Sequence, residues 1–96
     1  MSDKKSVLKQ LQTIPSIGKA CANDLYLLGI RSPSDLHGRN PASLFADLSR
    51  ITGISQDICM LYTFRCAVYY CTEANPDPQK LKWWYWKNHA YRESAA

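Results

Sequence analysis

The sequence predicts an all-α fold: one domain of about five helices, arranged as two hairpins of helices, with a Trp-rich C-terminal segment packed on it. Three observations predict it. Apolar residues recur at three- and four-residue intervals, and no strand-like alternation persists long enough for a sheet. Cap residues, prolines and glycines fall where helices start and stop. The segment Ile14-Pro15-Ser16-Ile17-Gly18, lying between two helical patterns, has a weaker counterpart in Ile51-Thr52-Gly53-Ile54-Ser55 between two others. One hairpin cannot bury both its faces, whereas two packed through a connector can. A length of 96 residues suits a single domain, with its core over about 5–72 and an aromatic tail over 79–92.

Val7, Leu8 and Leu11 keep helical spacing and predict a first helix over about 4–13. Pro15 closes it, because proline disfavours helical geometry at the residue before it. Ser16 is the expected cap of the second helix, which carries Ile17, Cys21, Leu25 and Leu28 on one face. Gly29 suits the left-handed conformation that ends a helix. Ser32-Pro33-Ser34-Asp35-Leu36 predicts a short third helix, with Ser32 as cap, Pro33 at the first helical position and Asp35 in the first turn. It stops at Gly38. Asn40-Pro41 repeats the signal, and Leu44, Phe45 and Leu48 mark a fourth helix ending near Thr52-Gly53.

Ser55 is the expected cap of a fifth helix that runs to about Cys71. Ile58, Leu61, Phe64, Ala67, Val68 and Cys71 form one face, and Cys59, Tyr62, Cys66, Tyr69 and Tyr70 much of the rest. A helix apolar nearly all round is covered on several sides, so this one is the expected spine of the core. Arg65, the lone charge in its middle, is expected to reach the surface or to pair with an acid such as Asp24 or Asp47. Asn75-Pro76-Asp77-Pro78 is a rigid break before the tail.

The net charge of +4 is local: residues 79–92 carry Lys80, Lys82, Lys87 and Arg92 and no acid, while the remainder is nearly balanced. Such an excess is compatible with nucleic acid without establishing it. Cys21, Cys59, Cys66 and Cys71 show no Cys-x-x-Cys spacing, and His37 and His89 lie far from them in sequence. No metal or other cofactor is expected. Cys59, Cys66 and Cys71 are expected to be reduced and buried, as small hydrophobes. No apolar run could span a bilayer, and Met1-Ser2-Asp3-Lys4-Lys5 lacks the apolar core of a signal peptide. The expectation is a soluble, cytoplasmic protein without a membrane partner.

A tight turn opening onto a helix N-terminus leaves N–H groups pointing outward at the positive end of the helix dipole, which together suit a phosphate. Ser16, Ile17, Gly18, Lys19 and Ala20 are therefore the candidate DNA-binding residues. Gly18 permits close approach and Lys19 adds a cation. Gly53, Ile54 and Ser55 form a secondary candidate in the second hairpin, where Asp57 in the first helical turn favours the helix but repels a phosphate. Packing alone also explains both hairpins, since helix connections need Gly and Pro whether or not they bind anything. In the tail, Lys80-Leu81-Lys82-Trp83-Trp84-Tyr85-Trp86-Lys87 interleaves cations with rings. Three readings are open: rings that fold back over a small core, which is favoured, rings that stack on bases, and a partner-binding patch.

The first hairpin's spacing resembles the helix-hairpin-helix family, whose members usually hold DNA backbones without reading sequence. Ser16 departs from it, since that family often has Gly there; a positive φ at Ser16 would cost about 1 kcal/mol. A longer resemblance covers about residues 7–88: Ile14-Pro15-x-Ile17-Gly18-Lys19, Leu28-Gly29-Ile30-Arg31-Ser32, Leu48-x-x-x-Thr52-Gly53, Phe64-Arg65-Cys66-Ala67-Val68-Tyr69-Tyr70, Asn75-Pro76-Asp77-Pro78 and Leu81-Lys82-Trp83-Trp84-x-Trp86-Lys87. These segments resemble the small bacterial family described as pathogenicity locus, of the Cdd1 type, some of whose members are labelled mitomycin-resistance proteins. The resemblance implies a tandem helix-hairpin-helix domain, and the labels point toward DNA-damage tolerance.

The functional expectation is weak, nonspecific binding of a DNA backbone. The alternative is a protein-interaction adaptor whose aromatic C-terminal segment meets a protein partner. An enzyme is not expected: His37 and His89 have no carboxylate or nucleophile companion in sequence, and helix capping accounts for Ser16 and Ser55.

Overall fold

A computed structural model describes residues 3–89. Among these the α-helices are α1 (Lys4–Leu11), α2 (Lys19–Leu27), α3 (Pro41–Thr52) and α4 (Ile58–Thr72). Short 3₁₀ turns occupy Pro33–Leu36, Pro78–Leu81 and Trp83–Lys87, and no strand occurs among the described residues. The fold is all-α. The third of the five expected helices is a single 3₁₀ turn, too short between Pro33 and Gly38 to develop into an α-helix. Arg92, at the end of the basic tail, lies outside the described residues.

Most helix ends follow the chain's punctuation, but the end of α1 and the serine caps do not. α1 is capped by Asp3, whose carboxylate accepts the Ser6 N–H at 2.8 Å. It ends at Leu11 rather than near Thr13, because the N–H groups of Thr13 and Ile14 reach back only three residues, to Gln10 and Leu11. α2 ends in a Schellman motif: Gly29 at φ 88° donates to the Tyr26 carbonyl and Ile30 to that of Leu25, with Ile30 and Leu25 buried together. Asn40 caps α3 by accepting from Ala42 and Ser43. Ser16 and Ser55, however, cap nothing, and Ser32 leads its 3₁₀ turn with its hydroxyl on that of Ser34 rather than on a backbone N–H. α2 is led by Gly18, and α4 by Asp57, whose carboxylate accepts the Cys59 N–H at 2.8 Å.

α4 is the spine. Phe64, Ala67 and Val68 are fully buried in the main core with Val7, Leu11, Ile14, Leu25 and Leu48. Its other side, Cys66 and Tyr69, forms a second cluster with Trp86. The chain after Thr72 returns antiparallel along this side as a strap. The Asp77 N–H donates to the Tyr69 hydroxyl at 2.8 Å, the Cys66 thiol meets the Lys80 carbonyl at 3.7 Å, and the Arg65 guanidinium donates to the Trp86 carbonyl at 2.9 Å. Trp86 is buried, its ring 5.4 Å from that of Tyr69 and its indole N–H on the Lys80 carbonyl at 2.9 Å. Arg65 thus pairs with neither Asp24 nor Asp47; it fastens the strap.

The tail packs on the domain, but not with every ring. Trp83 is half-buried, whereas Trp84 stays 56 % exposed. The cysteines divide likewise: Cys66 is buried and Cys71 partly so, but Cys59 is exposed as the second residue of α4, ahead of the helix's first buried residue, Thr63.

Candidate nucleic-acid interface

The first hairpin turns between α1 and α2. The Ile17 N–H donates to the Ile14 carbonyl at 3.1 Å, with Pro15 and Ser16 between them. Proline second and a positive φ third is the pattern of a type II turn, whose third position favours glycine. Ser16 holds φ 72° there, alone among the described non-glycine residues. Its hydroxyl points inward, 3.6 Å from the Cys66 thiol. Ile17 is buried and anchors the turn, and Gly18, Lys19 and Ala20 are exposed.

This geometry opens the N-terminus of α2. Gly18, at φ −91° and ψ −170°, supplies no capping side chain. The N–H groups of Lys19 and Ala20 meet no acceptor among the described residues. A Cβ at Gly18 would find nothing within 4 Å, so the approach is clear. Behind it, burial and the Asp24 carboxylate push the Cys21 thiol's pKa up, against a smaller downward pull from its hydrogen bond to the Gly18 backbone.

Beside this terminus lies an open groove of about 440 Å³, lined by Lys5, Leu8, Lys9, Gln12 and Lys19. It contains three cations and no acid. The sequence reading included Lys19 and missed the α1 side. The signal was present: Lys5, Lys9 and Gln12 follow at intervals of four and three, on the face of α1 opposite the buried Val7 and Leu11. A second hollow of about 320 Å³, near Pro33, Tyr70 and Cys71, contains Glu73 and no cation, the wrong balance for a phosphate.

The second hairpin differs. Gly53 ends α3 at φ 69°, and Gly53, Ile54 and Ser55 are all exposed. Yet the N-terminus of α4 is filled by Asp57, whose carboxyl is held below its usual range by the Cys59 N–H. Around it Ile51, Ile54 and Ile58 are exposed at 47 %, 64 % and 50 %. The aromatic tail carries a third surface: Trp84 stands outward with the Lys82 ammonium 6.0 Å from its ring centre, and His89 stacks on Tyr85 at 4.0 Å.

Among the described residues, no helix is long and apolar enough to cross a membrane, and no three His, Cys, Asp or Glu side chains gather as a metal site. Comparisons with curated proteins and with solved structures find no match. The family comparison does: the model described as Cdd1, pathogenicity locus, matches residues 4–92, and with nearly its whole length covered the chain belongs to that family.

Proposed function

We propose that this protein is a tandem helix-hairpin-helix module that grips a nucleic-acid backbone without reading sequence, and that the grip is the α1–α2 hairpin. The observation that carries this is the uncapped N-terminus of α2 opening beside a groove with Lys5, Lys9 and Lys19 and no acid. Free N–H groups and the helix dipole bind one phosphate, and the lysines meet its neighbours along the strand. Gly18 gives the backbone room. The second hairpin packs and turns the chain, and its own carboxylate keeps phosphate away. The working place is the cytoplasm, with DNA-damage tolerance as the process that the family resemblance suggests.

Duplex binding measured by fluorescence anisotropy at low salt tests the reading. Lys19→Glu should weaken binding at least about fivefold, since it replaces an attraction with a repulsion, while leaving the melting temperature nearly unchanged. Gly18→Val should do the same by filling the approach. Equal binding by wild type and Lys19→Glu removes the hairpin from the function.

A second reading has its own observation. Ile51, Ile54 and Ile58 expose apolar surface around one turn, as protein-docking patches do. Under that reading the chain is an adaptor, with this patch or the aromatic segment meeting a protein partner. Ile54→Asp should then abolish partner capture and leave DNA binding untouched.

A further inference from the structure

The tail that covers the spine also leaves one large ring uncovered, backed by a neighbouring ring. Trp83 is half-buried in the strap and meets Trp84 edge-on, with ring centres 5.9 Å apart and planes at 88°. The half-buried Trp83 backs one side of the Trp84 ring. The Lys82 ammonium lies 6.0 Å from the Trp84 ring centre. Lys80 and Lys87 belong to the same segment, and residues 78–89 contain no acid. The base of the strap is tied to the first hairpin through one side chain: the Cys66 thiol touches Ser16 of the hairpin turn and the Lys80 carbonyl.

We propose that Trp84 is a stacking platform for an unpaired nucleobase, and that the preferred ligand is nucleic acid with a single-stranded part rather than a blunt duplex. The chemistry is general. Every base has a π-face, base–aromatic stacking tolerates any sequence, and neighbouring lysines meet the phosphates. A duplex hides its bases and offers this ring nothing. Core packing explains Trp86 and Trp83; it does not explain a Trp left 56 % exposed beside the Lys82 ammonium. The charge balance selects the occupant: a polyanion is attracted to the Lys82 ammonium at the ring and to the acid-free segment 78–89 around it, whereas a cationic or neutral protein surface gains nothing from them.

The inference rests on the backbone grip of the first hairpin but is tested separately. Anisotropy is measured for the full chain and for Trp84→Ala, with a blunt duplex, the same duplex carrying a six-nucleotide overhang, and an anionic phosphatidylglycerol vesicle. Wild type should bind the overhang duplex about five- to tenfold more tightly than the blunt one, a gain expected of one stacked base. Trp84→Ala should lose that gain, keep the blunt-duplex affinity and keep the melting temperature. Blunt-duplex binding without any overhang gain in wild type overturns the platform and spares the hairpin. An overhang gain that survives Trp84→Ala also overturns it. Overhang binding that depends on Trp84, with no blunt-duplex binding, upholds the platform and removes the hairpin grip. Trp84-dependent binding to the vesicle alone assigns the ring to a lipid surface and overturns the proposal.

Discussion

Ser16 occupies a backbone position made for glycine. Its φ of 72° carries strain of order 1 kcal/mol, and its hydroxyl cannot cap α2 because it faces Cys66. The same backbone predicts opposite responses to two substitutions. Ser16→Gly should keep or raise stability, whereas Ser16→Val, branched at Cβ, should lower it by roughly 1–3 kcal/mol. Urea denaturation reads both; equal midpoints for Ser16→Val and wild type would refute the turn geometry. Asp57 and Cys59 make a second pair with a readable outcome. The Cys59 thiol is exposed, and the hydrogen bond and charge of Asp57 raise its pKa. A thiol reagent should therefore label Cys59 first, Cys66 only on unfolding, and Cys59 faster still in Asp57→Asn at pH 8. The cap also has a pH signature. The folded-state pKa of Asp57 is depressed, so its stabilisation is complete above the ordinary carboxylate range and is lost as pH falls through the folded value.

At the scale of elements, the strap and the spine depend on each other. Trp86→Ala empties the centre of the second cluster and should cost about 3–5 kcal/mol, a large part of a domain stability of about 5–15 kcal/mol. Trp84→Ala should change stability by less than about 0.5 kcal/mol. Thermal melts of the two variants check the contrast, and similar losses would mean that both rings are structural. Most of this was legible beforehand. Asn40-Pro41, Gly29 and Gly53 each sit where their conformational preferences predict, and the all-round apolar pattern of α4 correctly marked the spine. Two kinds of residue were not legible. Serines and aspartates compete for the same cap, and which of Ser16, Gly18, Ser55 or Asp57 leads a helix depends on where the preceding turn leaves the chain. Likewise, which of three adjacent tryptophans is buried depends on the phase of a 3₁₀ turn against α4, a tertiary fact. The groove was half legible: Lys19 follows from the hairpin motif, but Lys5 and Lys9 gain meaning only once α1 lies beside α2.

Across the whole molecule, the small net charge of +4 conceals an uneven distribution of charge. Lysines gather at the first hairpin and recur along the strap, while the second hairpin presents isoleucines and a carboxylate. With about three phosphates neutralised at the groove, the slope of log affinity against log salt on a blunt duplex should be near −2.7. That amounts to about a fortyfold loss between 50 and 200 mM salt. Lys19→Ala should reduce the slope by about one. A salt-independent affinity would exclude a phosphate grip altogether. The strap has a further consequence, for the order in which the chain is made. Synthesis runs from N- to C-terminus, so the ribosome finishes α4 before the segment that covers its Cys66–Tyr69 side. Until residues 78–86 have emerged, that side is an uncovered apolar stripe, the kind of surface on which nascent chains stick to one another. The partners that close it are separated by only 8 to 21 residues, so little loop entropy delays closure. A nascent chain stalled before Pro78 should be bound by chaperones, and release of a few more turns of chain should free it.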